Sequence, residues 1–208
     1  MCVLLMLFIT TLMLSKAVAM NVSNSSRELQ ALIDFRWPHT NSSSALHCHW
    51  EGITCDDHGR VAQISLQSQV GCTGGLWCHD VGYLDPLVFT SLTSIHLSSC
   101  GLYGIIPEEI GFLSNLSYLN LSNNQLDSQL PLSLANLSEL RVLDISHNHN
   151  IHGVIPPEIG SLSELTHLHL SHNLLQSGLP LSLSNLTNLE ITTQRFYVVE
   201  LPTLFYRI

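Results

Sequence analysis

The chain has 208 residues, 45% of them hydrophobic, and a formal charge of −9 with histidines neutral. That length is enough for one domain with a real core. Seven basic residues stand against sixteen acidic ones, too few to neutralise a phosphate backbone, so nucleic-acid binding is excluded as a function class.

Residues 1–19 read as a secretory signal peptide. An apolar run ends near Leu14, short for a bilayer span, and Ala17, Val18 and Ala19 make a small-residue cleavage site. No Lys or Arg precedes the apolar run, which leaves an uncleaved anchor as the alternative. Cleavage would remove Lys16, the only lysine, and leave six arginines against sixteen acidic residues, a charge of −10. No later stretch is apolar for anything near 20 residues, so no membrane span is expected in the mature chain. The expected location is therefore secreted, in the extracellular space or at the cell surface. Five cysteines would remain: Cys48, Cys55, Cys72, Cys78 and Cys100. Secretion favours disulfides, and an odd count leaves one thiol over.

Ser25 followed by Glu28 predicts a capping box at the start of a helix. Leu29, Leu32, Ile33 and Phe35 follow near helical spacing, and Pro38 stops the helix. The octapeptide CHWEGITC occupies residues 48–55, and VAQISL at 61–66 has the alternation of a first strand. From Val70 to Phe89 the chain carries an insertion or a degenerate coil, within which Cys72 and Cys78 leave open a second local disulfide.

Self-similarity then dominates. LTSIHLSSCGLYGIIP (92–107) is followed by LSYLNLSNNQLDSQLP (116–131), LRVLDISHNHNIHGVIP (140–156) and LTHLHLSHNLLQSGLP (165–180). Leu92, Leu116, Leu140 and Leu165 are spaced by 24, 24 and 25 residues, the extra residue lying within 147–151. In each L-x-L the leucines point to one face and the intervening residues to the other. Asn124, Asn148 and Asn173 follow the strand, where an amide can satisfy the backbone of a bend. Cys100 holds that place in the first coil, as a small buried thiol can, and is the candidate for the odd cysteine. One coil cannot bury its own leucines; stacked coils can.

The L-x-x-L-x-L-x-x-N-x-L pattern is that of leucine-rich repeats, and the G-x-I-P extension (Gly104 to Pro107, Gly153 to Pro156) resembles the plant type found in receptor-like kinase ectodomains and polygalacturonase-inhibiting proteins. Ser128 and Ser177 replace the glycine in the other two coils. The octapeptide resembles the family's N-terminal cap, which implies a Cys48–Cys55 disulfide holding Trp50 over the end of the core. Such a loop contributes about 2–3 kcal/mol by chain entropy. The resemblance implies an α/β solenoid, a right-handed superhelix with a parallel concave β-sheet. Its expected divisions are a signal peptide (1–19), a cap (20–60), repeats (61–190) and an off-pattern tail (191–208). In that tail Phe196, Tyr197, Phe205 and Tyr206 either fold over the last coil or mark a truncated chain.

The concave rows read Ser94, Tyr118, Val142, His167; His96, Asn120, Asp144, His169; and Ser99, Asn123, His147, His172. Tyr118, Asn120, Val142, Asp144, His147, His167, His169 and His172 are the candidate partner-binding residues. The histidines form a corner that fits a plain polar face, a pH-sensitive patch or a metal-binding one. A flat sheet spreads ligands that a metal would need to converge, so no metal site and no cofactor are expected. Ser146, Asp144 and His169 could be taken for a hydrolase triad, but no nucleophile elbow accompanies them and no catalytic residue is expected. The kinase signatures that full-length relatives carry are absent, and the mature chain has no lysine for them. Seven N-x-S/T sequons mark Asn21, Asn24, Asn41, Asn115, Asn120, Asn136 and Asn185, with Asn115, Asn136 and Asn185 placed just before strands. A glycan on Asn120 would block the concave face. The resemblance implies a recognition module for a peptide or protein ligand, in signalling or defence, with a receptor kinase among the candidate partners. An inhibitor of a secreted wall-degrading enzyme and a truncated product without function of its own are the alternatives.

Overall fold

The computed structural model describes residues 24–35, 37, 47–66, 80–176 and 178–189. A helix over residues 24–34 (α1) opens this part. A 3₁₀ turn at His47–His49 leads to strands β1 (Ile53–Cys55) and β2 (Val61–Ser65). Each later coil then adds one three-residue strand to the same sheet: β3 (Ser94–His96), β5 (Tyr118–Asn120), β7 (Val142–Asp144) and β9 (His167–His169). Sheet order is β1-β2-β3-β5-β7-β9. From β2 onward every pairing is parallel, with equivalent residues of successive coils in register. The fold is a leucine-rich-repeat solenoid with a parallel sheet.

The sheet's first edge differs from the sequence-based expectation. β1 pairs antiparallel with β2, so the octapeptide closes the row of amides that a solenoid would otherwise leave open. Cys48 and Cys55 are joined by a disulfide, and Trp50 between them is buried. Glu28 also departs from expectation. It does not reach back to Ser25 but is fully buried, accepting from Arg60 Nε at 2.7 Å and from the Val61 amide at 3.1 Å. His47 Nε2 lies 3.6 Å from the same carboxylate. Arg60 continues through Nη2 to the Val88 carbonyl and Thr90 Oγ1. One charged network thus ties α1, β2 and the next coil together. Cys72, Cys78, Asn21, Asn41 and the segments 1–19 and 191–208 lie outside the described residues.

Leu116, Leu119, Leu140, Leu143 and Leu165 are 0% exposed, and burying each leucine contributes about 2 kcal/mol. The asparagines link coil to coil. Asn148 Nδ2 donates to the Ile145 and Ser146 carbonyls of its own coil and to the Leu121 carbonyl of the preceding one. Its Oδ1 accepts from the Leu126 amide. Asn124 does the same with Leu97, Leu121, Ser122 and the amides of Cys100 and Leu102. Asn173 repeats the pattern on Ile145, Leu170 and the Asn148 amide. Cys100 is buried at the head of this ladder, its thiol 3.4 Å from the Ser98 carbonyl and 3.9 Å from that of Leu66. These are the coil-equivalent acceptors that Asn124 uses, met by a weaker donor.

Behind the sheet the coils run in 3₁₀ helices at Glu108–Phe112, Leu132–Asn136, Pro157–Ser161 and Leu181–Asn185, each entered from a proline. These coils come in pairs. The first helix packs more closely on the second, and the third on the fourth, than the second on the third. Gly111 lies so near the Ser133 backbone that an added Cβ would sit 2.6 Å from its carbonyl oxygen, and Gly160 meets the Ser182 carbonyl in the same way. On the flank, β4 (Tyr103–Gly104) pairs with β6 (Gln125–Leu126), and β8 (His152–Gly153) with β10 (Leu174–Leu175), in two separate ribbons. The break falls at the extra residue beside His149 and Asn150. In sequence the same unit is a 49-residue period, Ile106 to Ile155 and Leu130 to Leu179.

Asn148→Ala should cost about 3 kcal/mol or more, because it orphans several buried backbone groups at once; urea unfolding of the purified chain measures this. Gly160→Ala should cost about 1–3 kcal/mol through overpacking. Gly178→Ala, where an added Cβ meets nothing within 4 Å, should be close to neutral in the same assay.

Candidate ligand-binding face

Three strands set the candidate residues in register. Tyr118 pairs with Ser94 and Val142, and Val142 with His167; Asn120 pairs with His96 and Asp144, and Asp144 with His169. Tyr118, Asn120, Val142, Asp144, His167 and His169 are all half-buried, each standing between neighbours on a closely spaced sheet. Leu119 and Leu143, at 0% exposure, hold β5 and β7 from behind, and the partly buried Leu168 holds β9.

Side chains on this face are tied to one another. The Tyr118 ring lies 5.8 Å from that of His96, and Asn120 Nδ2 donates to the Tyr118 hydroxyl at 3.4 Å. Asn120 Oδ1 accepts from the Ser122 amide and hydroxyl, so its carbonyl is turned along the strand. Asp144 accepts from Ser146 in the same way, at 3.0 Å and 2.6 Å. The Ser146 proton is therefore directed at a carboxylate rather than at an imidazole base, the reverse of what a nucleophilic serine needs. His167 and His169 face each other at 6.2 Å between ring centroids, and His167 Nδ1 is 2.9 Å from Thr166 Oγ1.

His147 and His172 sit apart from these rows, on the bend after the strand. Ser99, Asn123, His147 and His172 all have φ between 56° and 58°, the left-handed region, where histidine is better tolerated than β-branched residues. Each bend residue up to His147 donates its amide to the next coil: Ser99 to Ser122, Asn123 to Ser146, His147 to Ser171. This fixed backbone throws both imidazoles to the surface, where they stack at 4.1 Å with planes 15° apart. The histidines thus form two separate pairs rather than one converging corner. Among the described residues the one grouping of potential metal ligands is His47, Cys48 and Cys55, and there both sulfurs belong to the disulfide.

The sequons divide in a way the sequence reading did not anticipate. Asn136 and Asn185 end 3₁₀ helices, and Asn115 occupies a later repeat position shared with Asn188. Asn115 Nδ2 donates to the Thr90 carbonyl and Asn188 Nδ2 to that of Ser163, each 25 residues back. Asn24 lies in the first turn of α1.

A recess lies beside the face, where the chain enters its strands. It is a groove of about 780 Å³, bordered by Asp56, Thr93, Asn115, Ser117, Glu139 and Arg141 among others. Burial would raise the Asp56 pKa, but hydrogen bonds from the Arg60 and His58 amides and the Ser91 hydroxyl, with the charge of His58, hold it below the ordinary carboxylate value. A depressed folded-state pKa stabilises the fold above the unfolded pKa and is lost as pH falls through the folded one. The stability difference between the native chain and Asp56→Ala should therefore be constant at neutral pH and shrink below about pH 4. Urea titrations between pH 7 and pH 3 test this.

Residues 80–199 match the family described as "Leucine-rich repeat region". The leucine-rich repeat receptor-like serine/threonine-protein kinase RGI4 of Arabidopsis thaliana is 37% identical over 93 residues, 45% of this chain and 8% of that protein. The plant peptide hormone receptor RGFR1, solved in complex with RGF2, superposes with a TM-score of 0.57 at 37% identity, over 69% of this chain and 21% of the receptor. A chain of the BIR3–SERK2 complex from Arabidopsis thaliana superposes with a TM-score of 0.59 at 30% identity, over 74% of this chain and 79% of that one. The chain spans less than a tenth of the curated kinase it matches. No helix among the described residues is long and apolar enough to cross a membrane.

Proposed function

Because the chain belongs to the leucine-rich repeat family, we propose that it is an extracellular recognition module that binds a peptide or protein ligand across its concave sheet. The observation that carries this reading is the register of the face. Polar, aromatic and histidine side chains stand in straight rows on a frame whose inward residues are fully buried behind β3, β5 and β7 and partly buried behind β9. Neighbouring strands lie about 4.8 Å apart, so Tyr118 and His167 are separated by roughly 10 Å, a span that three or four residues of an extended peptide can follow. A rigid frame lowers the ordering cost of binding, which suits an extended, initially disordered ligand.

Tyr118 and His167 are the contacts on which the reading depends most, with Val142 between them as an apolar step. Asn120 and Asp144 supply polar edges whose orientation is already set by Ser122 and Ser146. On this reading Asn120 carries no glycan, and the face performs no chemistry. The similarity to a plant peptide hormone receptor and to a chain of the BIR3–SERK2 complex supports a peptide ligand, a protein partner, or both together.

Affinity capture from plant extracellular fluid, with the secreted full chain as bait, tests the proposal. A peptide or receptor ectodomain should be retained by the native chain and by Leu181→Ser, whose leucine is exposed on the opposite side. Tyr118→Ala with His167→Ala should weaken retention at least about tenfold, the loss of one or two buried contacts. Retention of a glycan hydrolase instead would favour the inhibitor reading. Equal retention by the face variant would show that binding lies elsewhere.

A further inference from the structure

The lateral groove is built from side chains that the concave face does not use. Its walls carry the hydroxyls of Thr93 and Ser117, the carboxylates of Asp56 and Glu139, and the guanidinium of Arg141. Ala62 is the one aliphatic side chain on its walls. Such a groove offers hydrogen bonds to a hydroxyl-rich ligand, but it is shallow and open and encloses little of a free one. A tethered ligand needs no such enclosure, because attachment gives it a high effective concentration.

Asn115 supplies the tether. It lies on the groove wall, is exposed, and opens the sequon Asn115-Leu116-Ser117. Its Nδ2 donates to the Thr90 carbonyl at 3.0 Å, which fixes the direction of the amide. N-glycosylation replaces one Nδ2 hydrogen and leaves the other for that bond. Ser117 Oγ is likewise anchored, donating to the Thr93 carbonyl at 3.0 Å. Coil-equivalent positions to Asn115 hold Glu139, Glu164 and Asn188, none of which begins a sequon. Asn136 and Asn185 do begin sequons but end helices behind the sheet and do not line the groove.

We propose that Asn115 carries an N-linked glycan whose core sugars lie in this groove, against Glu139 and Arg141. The oligosaccharide comes from a lipid-diphosphate carrier through the secretory-pathway transferase. A bond forms between Nδ2 and the sugar C1, the bond from C1 to the diphosphate oxygen breaks, and the Nδ2 proton leaves to a transferase base. The seated glycan covers the edge where coils enter their strands and confines a partner to the concave face and its other edge.

The test uses the full chain secreted from plant cells that retain oligomannose glycans. Glycopeptide mass spectrometry reads occupancy at Asn115. An endoglycosidase that cuts between the two core N-acetylglucosamines is then applied to the native protein. Asn115 should be occupied, and cutting there should be about tenfold faster in the Glu139→Ala, Arg141→Ala double variant, the equivalent of one or two lost hydrogen bonds. Both residues are exposed, so the variant keeps its fold, and an unchanged urea midpoint verifies this. Occupancy itself should not change. An unmodified Asn115 overturns the proposal, and so does a cutting rate that the double variant leaves unchanged.

Discussion

The structure depends on one repeated interaction, the asparagine that bonds two coils at once. A three-residue strand is too short to be stable alone, and each coil's leucines find cover only under the next coil. Asn124, Asn148 and Asn173 join both requirements, since each amide closes its own bend and reaches the carbonyl of the coil before. Alignment of these asparagines is what keeps successive strands in register. Register in turn decides that Tyr118, Val142 and His167 form a row and not a scatter. Cys100 marks where the ladder meets the cap, and there the covalent and ionic links take over: the Cys48–Cys55 disulfide and the buried Glu28–Arg60 pair.

Much of this was legible in the sequence because a short-period repeat encodes its own alignment. Once Leu92, Leu116, Leu140 and Leu165 are superposed, strand positions, inward leucines and outward rows follow from alternation alone. What escaped depended on contacts between distant or non-repeating parts. Strand β1 lies inside a cysteine motif that has no alternation to reveal it. Glu28 sits three residues after a serine and so resembles a capping partner, yet Arg60, thirty-two residues on, offers it a buried charge-assisted bond. The two-coil pairing was written in the sequence as Gly111 and Gly160 against Ser133 and Ser182, but a 24-residue alignment averages over a 49-residue period.

The candidate site was legible as a set of positions and not as a set of interactions. The rows stand where alternation puts them. A single histidine-rich corner was expected, whereas the side chains form two separate pairs, because His147 and His172 sit on the left-handed bend and His167 and His169 on the strand. The lateral groove gave no signal in the sequence, since Asp56, Asn115 and Arg141 come together only through stacking of successive coils.

The central claim is that the ladder makes the coils one cooperative frame for a ligand-binding face. Native-state hydrogen exchange tests it at the amides that the asparagines accept from: Leu102, Leu126 and Asn148. If the ladder integrates the solenoid, all three exchange only through global unfolding, with one common free energy that equals the value from urea. Three different free energies, each well below the global value, would mean that the coils open independently and would contradict the account.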